Sequence, residues 1–494
     1  MGRAPLRFRF FAALFVLANC AAGCVQPLGP GFRTDQRDTE IRAVPGEQAG
    51  LHVQVTDRLT NDGNRSLSSL DVRLPEGPTF GTQNLRVTID GREITPQAAD
   101  PSDGRIARAA LDPVWQQKQV RNIVVACDFL PQSGGRGTIE VSSSATIAAF
   151  YIADPTAFPQ WQPPHGVFAR GKSNPLKERL TVLAPPDFRV LAPGKPLSTR
   201  KEGALLAHSF RINPDSDFPL FVVAGRYSEQ SVIVGSARVS FWTFHLLTAP
   251  QAQAAAARLD ASFRALADEF GSLSNGAVEI HIIEAPENLP SEFGGPDEPG
   301  GEAIPEGVLL DSRALAAGIA SDATLELAEY ELARTWFGWR GRLQPADQIL
   351  MGRGAGLYGV VIAAEARSAQ ARQRAVRSLL SRYDEARERA ADVALNVPPA
   401  NVSRQQRIST GYKAALFFVA LEDLCGRENL RAAFHDLIGA RGGDNVAEAD
   451  LFAAAEAASH QSLGQLFRTW LNHPGVPDDF RAKYSAAAAT GGAK

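Results

Sequence analysis

The sequence predicts an α+β protein of more than one domain, an antiparallel β-sandwich followed by a mixed α/β, mostly helical region. Three observations predict this. The chain has 494 residues, 44% of them hydrophobic and 21% charged, which is too much for one small core and typical of a folded globular protein. Short runs that alternate apolar and polar residues, separated by turn residues, fill the stretch from Gln48 to Phe244. After Thr248-Ala249-Pro250 the apolar period lengthens from two residues to that of a helix.

The N-terminus reads as an export signal. Arg3, Arg7 and Arg9 precede an apolar run from Phe10 to Ala18, too short to span a bilayer comfortably. Ala21-Ala22-Gly23-Cys24 follows, small residues before a cysteine, as at a bacterial lipoprotein cleavage site. The expectation is a signal peptide over 1–23 and an acylated Cys24, rather than a plain cleaved signal or a site at Cys20. Residues 24–45 read as a tether. The protein is then exported and membrane-anchored, at a periplasmic or outer-membrane face. No later apolar stretch reads as a membrane span. The net charge of −3 and the lack of a Lys/Arg cluster give no support for nucleic acid as a partner. Cys127 and Cys425 fit no metal spacing and read as two buried thiols, with a disulfide as the alternative that an exporting compartment permits.

In the β half (46–244), Leu51 to Val55, Leu70 to Leu74, Leu85 to Ile89, Ile139 to Val141, Leu180 to Leu183, Phe188 to Leu191, His208 to Ile212 and Leu220 to Ala224 read as strands. In the second half (245–480), Gln251 to Glu269 reads as an amphipathic helix and Val278 to Ile283 as a strand. Pro286 to Glu306 reads as a Gly/Pro-rich loop, and Leu309 to Asp311 as a short strand. Further helices are expected at Leu325 to Trp336, Gly354 to about Arg389, Tyr412 to Leu424, Leu430 to Ala440, Glu448 to Ala457 and Leu463 to Leu471. Residues 481–494 read as a flexible tail.

The segment Glu329-Tyr330-Glu331-Leu332-Ala333-Arg334-Thr335-Trp336-Phe337-Gly338 carries the most information. It resembles the H-E-L-A-H-Q-W-F-G helix of aminopeptidase N-type zinc metallopeptidases, the membrane alanyl aminopeptidases among the gluzincins. Phe467 to Leu471 with Pro474-Gly475-Val476-Pro477, and Thr181 to Tyr227, also look like parts of that family, so the resemblance covers roughly residues 170–480. It implies a thermolysin-like fold for the second region. In the family two histidines four apart and a later Glu bind zinc, and a Glu between the histidines is the general base. Glu331 holds the base position here. The ligand positions hold Tyr330, Arg334 and, after the family's spacing of 18 intervening residues, Arg353 within Gly352-Arg353-Gly354. The family's amino-terminus-gripping Glu aligns with Ile304, and its oxyanion Tyr with Gly411, one residue before Tyr412.

These replacements remove the zinc chemistry the family would supply. Tyr must lose a proton of pKa about 10 to become a ligand. Guanidinium has five donors and no acceptor. No His lies between His281 and His435. The reading is a catalytically inactive, aminopeptidase-like lipoprotein of the cell envelope without a metal cofactor, binding a peptide or protein partner through the inherited cleft. An ion pair of Glu331 with Arg334 or Arg353 is expected to close the old metal site, and the two arginines binding a ligand anion is the alternative. Other readings are an active metallo-aminopeptidase with an unrecognised metal site and a structural lipoprotein with a filled cleft.

Overall fold

The computed structural model describes residues 32–486 except 45–49, 64, 74–79, 101–102, 132–138, 144–146, 153–159, 163–176, 213–220, 274–277, 286–288, 290, 294–297, 306, 344–346, 399–400 and 442–444. The signal peptide, Cys24 and the last eight residues lie outside these.

Alternating patterns in the N-terminal half fold into two layers of β-sheet. An eight-stranded sheet runs in the order Lys195–Glu202, Leu205–Ile212, Glu178–Ala184, Arg33–Val44, Gly50–Thr60, Val120–Pro131, Phe80–Ile89, Arg92–Ile94. Its neighbours are antiparallel except Arg33–Val44 with Glu178–Ala184. One end of the sheet packs through Ile41, Val53, Leu180 and Val182 on Phe150, Val222 and Ala224 of a four-stranded sheet. The other end packs through Leu59, Val87, Ile123 and Val125 on Leu70, Val72, Ala107 and Ala109 of a second four-stranded sheet.

The expected tether is corrected from Arg33 onward. Arg33–Val44 is a central strand, with Ile41 fully buried. Its charged residues mask the alternation, and Arg37 is neutralised by Asp57 of the next strand at 2.8 Å. The domain boundary also moves. The hairpin Ser228–Val234/Ala237–Thr243 turns at Gly235, where φ is +58°, and pairs in parallel with Glu279–Ala285. It therefore belongs to the second region, in a five-stranded sheet ordered Ser228–Val234, Ala237–Thr243, Glu279–Ala285, Gly307–Asp311, Gly301–Ile304. The last strand is an antiparallel edge inside the segment read as a loop.

Helices cover this sheet: α1 (Ala249–Phe270), α2 (Ser312–Ala316), α3 (Asp322–Arg334), α4 (Ala355–Arg367), α5 (Ala369–Arg389), α6 (Arg404–Cys425), α7 (Arg427–Arg441), α8 (Glu448–Ser459), α9 (Gly464–Leu471) and α10 (Asp478–Ala486). The single helix expected from Gly354 to Arg389 is two. Ser368 is extended, and its hydroxyl caps α5 by accepting from the Ala371 N–H at 3.0 Å. The expected tail from 481 begins as the last six residues of α10, a helix whose Phe480 packs edge-on against Trp470. Gln348–Arg367 is apolar and long enough to cross a membrane, a feature missed in the sequence, but it is 78% buried inside the protein and serves as a core segment. Cys127 and Cys425 are free, buried thiols.

The two regions meet through Tyr151, Phe221, Val223 and Tyr227 on one side and Trp242, Ile283, Ile304 and Trp339 on the other.

Candidate functional site

The site is built on α3. Ser321 caps it by accepting from the Thr324 N–H, and Asp322 lies in its first turn. Leu325, Ala328 and Leu332 form the expected apolar stripe, but Glu329, Tyr330, Glu331 and Ala333 are buried too. A helix enclosed on nearly all sides must find partners for its charges. Glu329 and Glu331 are two positions apart and so point about 200° apart. Glu329 turns to α1 and α4, where Arg258 (2.9 Å), Arg367 (2.8 Å) and the Ser262 hydroxyl (2.8 Å) hold it. Glu331 turns under the edge strand, and Gly301 makes room for it. A Cβ on Gly301 would lie 2.9 Å from Glu331 Cγ.

Glu331 is 1% exposed and accepts from Arg334 Nη1 at 2.8 Å. Burial pushes its carboxyl up to about 8, against the pull of Arg334. The expected Glu331–Arg334 pair is present, whereas Glu331–Arg353 does not form. Arg353 sits on a π-helical turn, Gln348–Gly354, that runs into α4, and it faces Glu292 instead.

Glu292 is the residue the sequence reading missed. Its carboxylate accepts from the Tyr330 hydroxyl at 2.5 Å and lies 3.8 Å from Arg334 Nη2 and 3.6 Å from Arg353 Nε. Burial opposes its charge, but Arg334, Arg353 and the Tyr330 hydroxyl outweigh that and hold its pKa below the ordinary carboxylate value. Burial first, then the negative charges of Glu292 and Glu331, drive the Tyr330 phenol well above its usual pKa, against the pull of Arg334 and Arg353. The Arg334 guanidinium also lies 5.6 Å from the Tyr330 ring centroid. Charge counting points to Glu292. Two arginines beside a Glu331 whose carboxyl is pushed toward its neutral form leave positive charge in a partly buried space, so a second acid is needed.

Tyr330, Arg334 and Arg353 thus surround one carboxylate. Ile304 is fully buried in the joint between the two regions and reaches no open space. Gly411 faces the cluster on α6, where an added Cβ would lie 3.5 Å from the Phe293 ring and 3.7 Å from Arg353. Tyr412 points elsewhere, with its ring 5.5 Å from that of Phe293. Phe293 also packs edge-on against Tyr330 at 4.8 Å. Beside the cluster lies a cleft of about 450 Å³, with Phe293, Tyr330, Leu357, Val360, Ile408 and Tyr412 in its wall. Among the described residues no three His, Cys, Asp or Glu side chains group as a metal site.

No protein-family model and no curated protein matches the chain. Solved structures do. An M1 zinc metallopeptidase from Deinococcus radiodurans aligns at TM-score 0.64 and 15% identity over 91% of this chain and 96% of that one. A mutant two-domain M1 zinc metallopeptidase bound to L-arginine aligns at 0.64 and 14% over 90% and 95%. A mutant from Deinococcus radiodurans bound to a Tyr-Ser-Ala substrate aligns at 0.61 and 15% over 91% and 96%. The chain has the α+β, two-domain fold of the M1 zinc metallopeptidases.

Proposed function

We propose that this protein is a metallopeptidase-fold lipoprotein that no longer holds zinc and uses the inherited cleft to bind a peptide or protein partner at the cell envelope. The observation that carries the reading is the Tyr330–Glu292–Arg334–Arg353 cluster. Zinc needs deprotonated N, S or O donors in tetrahedral reach. This set offers one phenol, two guanidinium groups without a lone pair, and the carboxylates of Glu292 and Glu331, which face those donors already. The donor set does not fit zinc, and Glu331 alone supplies neither a Lewis acid nor an activated water. Export and anchoring at Cys24 rest on the sequence of the first 24 residues.

The test is an aminopeptidase assay on the purified chain with a panel of aminoacyl-aminomethylcoumarin substrates and added zinc. No turnover above the blank is expected. Turnover that disappears in Glu331→Gln would overturn the reading in favour of an active metallo-aminopeptidase. Anchoring is tested by Cys24→Ala, which is expected to move the protein from the membrane fraction to the soluble one. An unchanged membrane fraction would refute lipidation at Cys24.

A further inference from the structure

The ion cluster and the neighbouring cleft together define a class of ligand. The argument rests on the proposed non-catalytic, binding role of this cleft. Arg353 has five N–H donors, yet among the described residues its nearest acceptors are the Arg407 carbonyl at 3.4 Å, the Glu292 carbonyl at 3.5 Å and the Glu292 carboxylate at 3.6 Å. Well-made guanidinium–carboxylate bonds are about 2.7–2.9 Å long. Arg353 is therefore poorly satisfied, and its side chain is 20% exposed. Arg334 is in a different position. Its Nη1 already holds Glu331 at 2.8 Å, while its Nη2 reaches Glu292 only at 3.8 Å.

Among the described residues, Glu292 is thus held tightly only by the Tyr330 hydroxyl. Its side chain is 26% exposed and can turn to water. If it does, Arg334 keeps its bond to Glu331, and Arg353 and the Tyr330 hydroxyl lose the carboxylate they face. An incoming carboxylate restores the negative charge that Glu292 withdraws. The cleft shares Tyr330 with this cluster, and its wall combines apolar Phe293, Leu357 and Val360 with charged residues such as Glu326 and Arg382. A cleft of about 450 Å³ falls within the usual range of small-ligand sites.

We propose that Tyr330, Arg334 and Arg353 form a carboxylate-binding site, that Glu292 occupies it in the free chain as an internal stand-in, and that a ligand joining one carboxylate to an apolar group displaces it. The ligand's carboxylate takes the place of Glu292, and its apolar group enters the cleft beside Phe293. The carboxylate comes either from a peptide C-terminus or from an acidic side chain. Because Glu292 competes from within the same chain, it lowers the apparent affinity by the fraction of time it leaves the site empty.

The experiment is calorimetric titration of the full chain with three probes: N-acetyl-Ala-Leu with a free carboxylate, its C-terminal amide, and N-acetyl-Leu-Asp-amide. Glu292→Gln is expected to bind the free acid about tenfold more tightly than the parent chain. Arg353→Gln is expected to lose that binding, and the amide is expected to bind to neither. Binding of the free acid alone identifies a C-terminus as the source, and binding of the Asp peptide as well identifies any carboxylate. Equal binding of acid and amide, no gain in Glu292→Gln, or unchanged binding in Arg353→Gln overturns the proposal. Thermal melts accompany each titration. If Glu292→Gln does not fold, Glu292→Asp, shorter by one methylene, is expected to shift affinity in the same direction, and its failure to do so overturns the proposal equally. Absence of carboxylate binding without zinc-dependent hydrolysis sinks this inference alone. Zinc-dependent hydrolysis sinks the functional reading beneath it.

Discussion

At the scale of the residue, the chain's chemistry is a matter of which charges are buried and what answers them. Glu331 has a pKa raised to about 8 from an ordinary 4.5, chiefly by burial. The folded state therefore binds its proton more tightly than the unfolded state. The stability this confers is complete below about pH 4.5 and is lost as pH rises through 8. Glu269, pushed up to about 7 first by burial, acts in the same sense. The melting temperature is expected to fall between pH 5 and pH 8, and Glu331→Gln is expected to flatten part of that slope. Melts across the interval check this, and a parent chain whose stability rises over it would contradict it. Much of this was legible in the sequence. Tyr330, Arg334 and Arg353 stood out because they occupy the positions where the family this segment resembles holds its zinc ligands, and a pair of Glu331 with Arg334 or Arg353 followed from the need to answer a buried acid. Glu292 was not legible. It lies 38 residues before Tyr330 in a Gly/Pro-rich stretch without periodicity. Only the charge imbalance pointed to it.

At the scale of the element, α3 is held by close backbone approach as much as by ion pairs. Gly359 on α4 sits against Ala333, where a Cβ would run into the Ala333 methyl and come within 3.1 Å of Leu266. Gly356, a turn earlier, leaves room for the Tyr330 ring, 2.6 Å from where a Cβ would be. Neither position can grow without moving a packed helix. Gly359→Val is expected to cost about 1–3 kcal/mol by overpacking, read as a lower denaturation midpoint in urea. An unchanged midpoint would mean that α3 and α4 are not in this register. Helix positions were largely readable from periodicity, but their breaks were not. The junction at Ser368 lies within a continuous helical pattern, and one serine cap decides it. The strand Arg33–Val44 was read as a tether because six of its twelve residues are charged. Its apolar positions become meaningful only when Gly50–Thr60 and Glu178–Ala184 lie on either side.

At the scale of the whole molecule, the sequence divided the chain into a β half and a mainly helical half, and the fold agrees. The boundary was misplaced because the hairpin Ser228–Thr243 has the same two-residue period as the sandwich strands. Only its parallel pairing with Glu279–Ala285 assigns it to the second region. The joint between the regions buries Ile304 among Tyr151, Phe221, Trp242 and Trp339, so this position serves cohesion between them. In the proposed function, the position where the resembling family holds zinc is an ion cluster of side chains. Metal analysis of the purified mature chain, with zinc titration followed by thermal melting, tests it most directly. The triple variant Tyr330→His, Arg334→His, Arg353→Glu serves as the control that restores donors. The natural chain is expected to carry no stoichiometric zinc and to show no rise in melting temperature. One zinc per chain with a clear rise in melting temperature would contradict it.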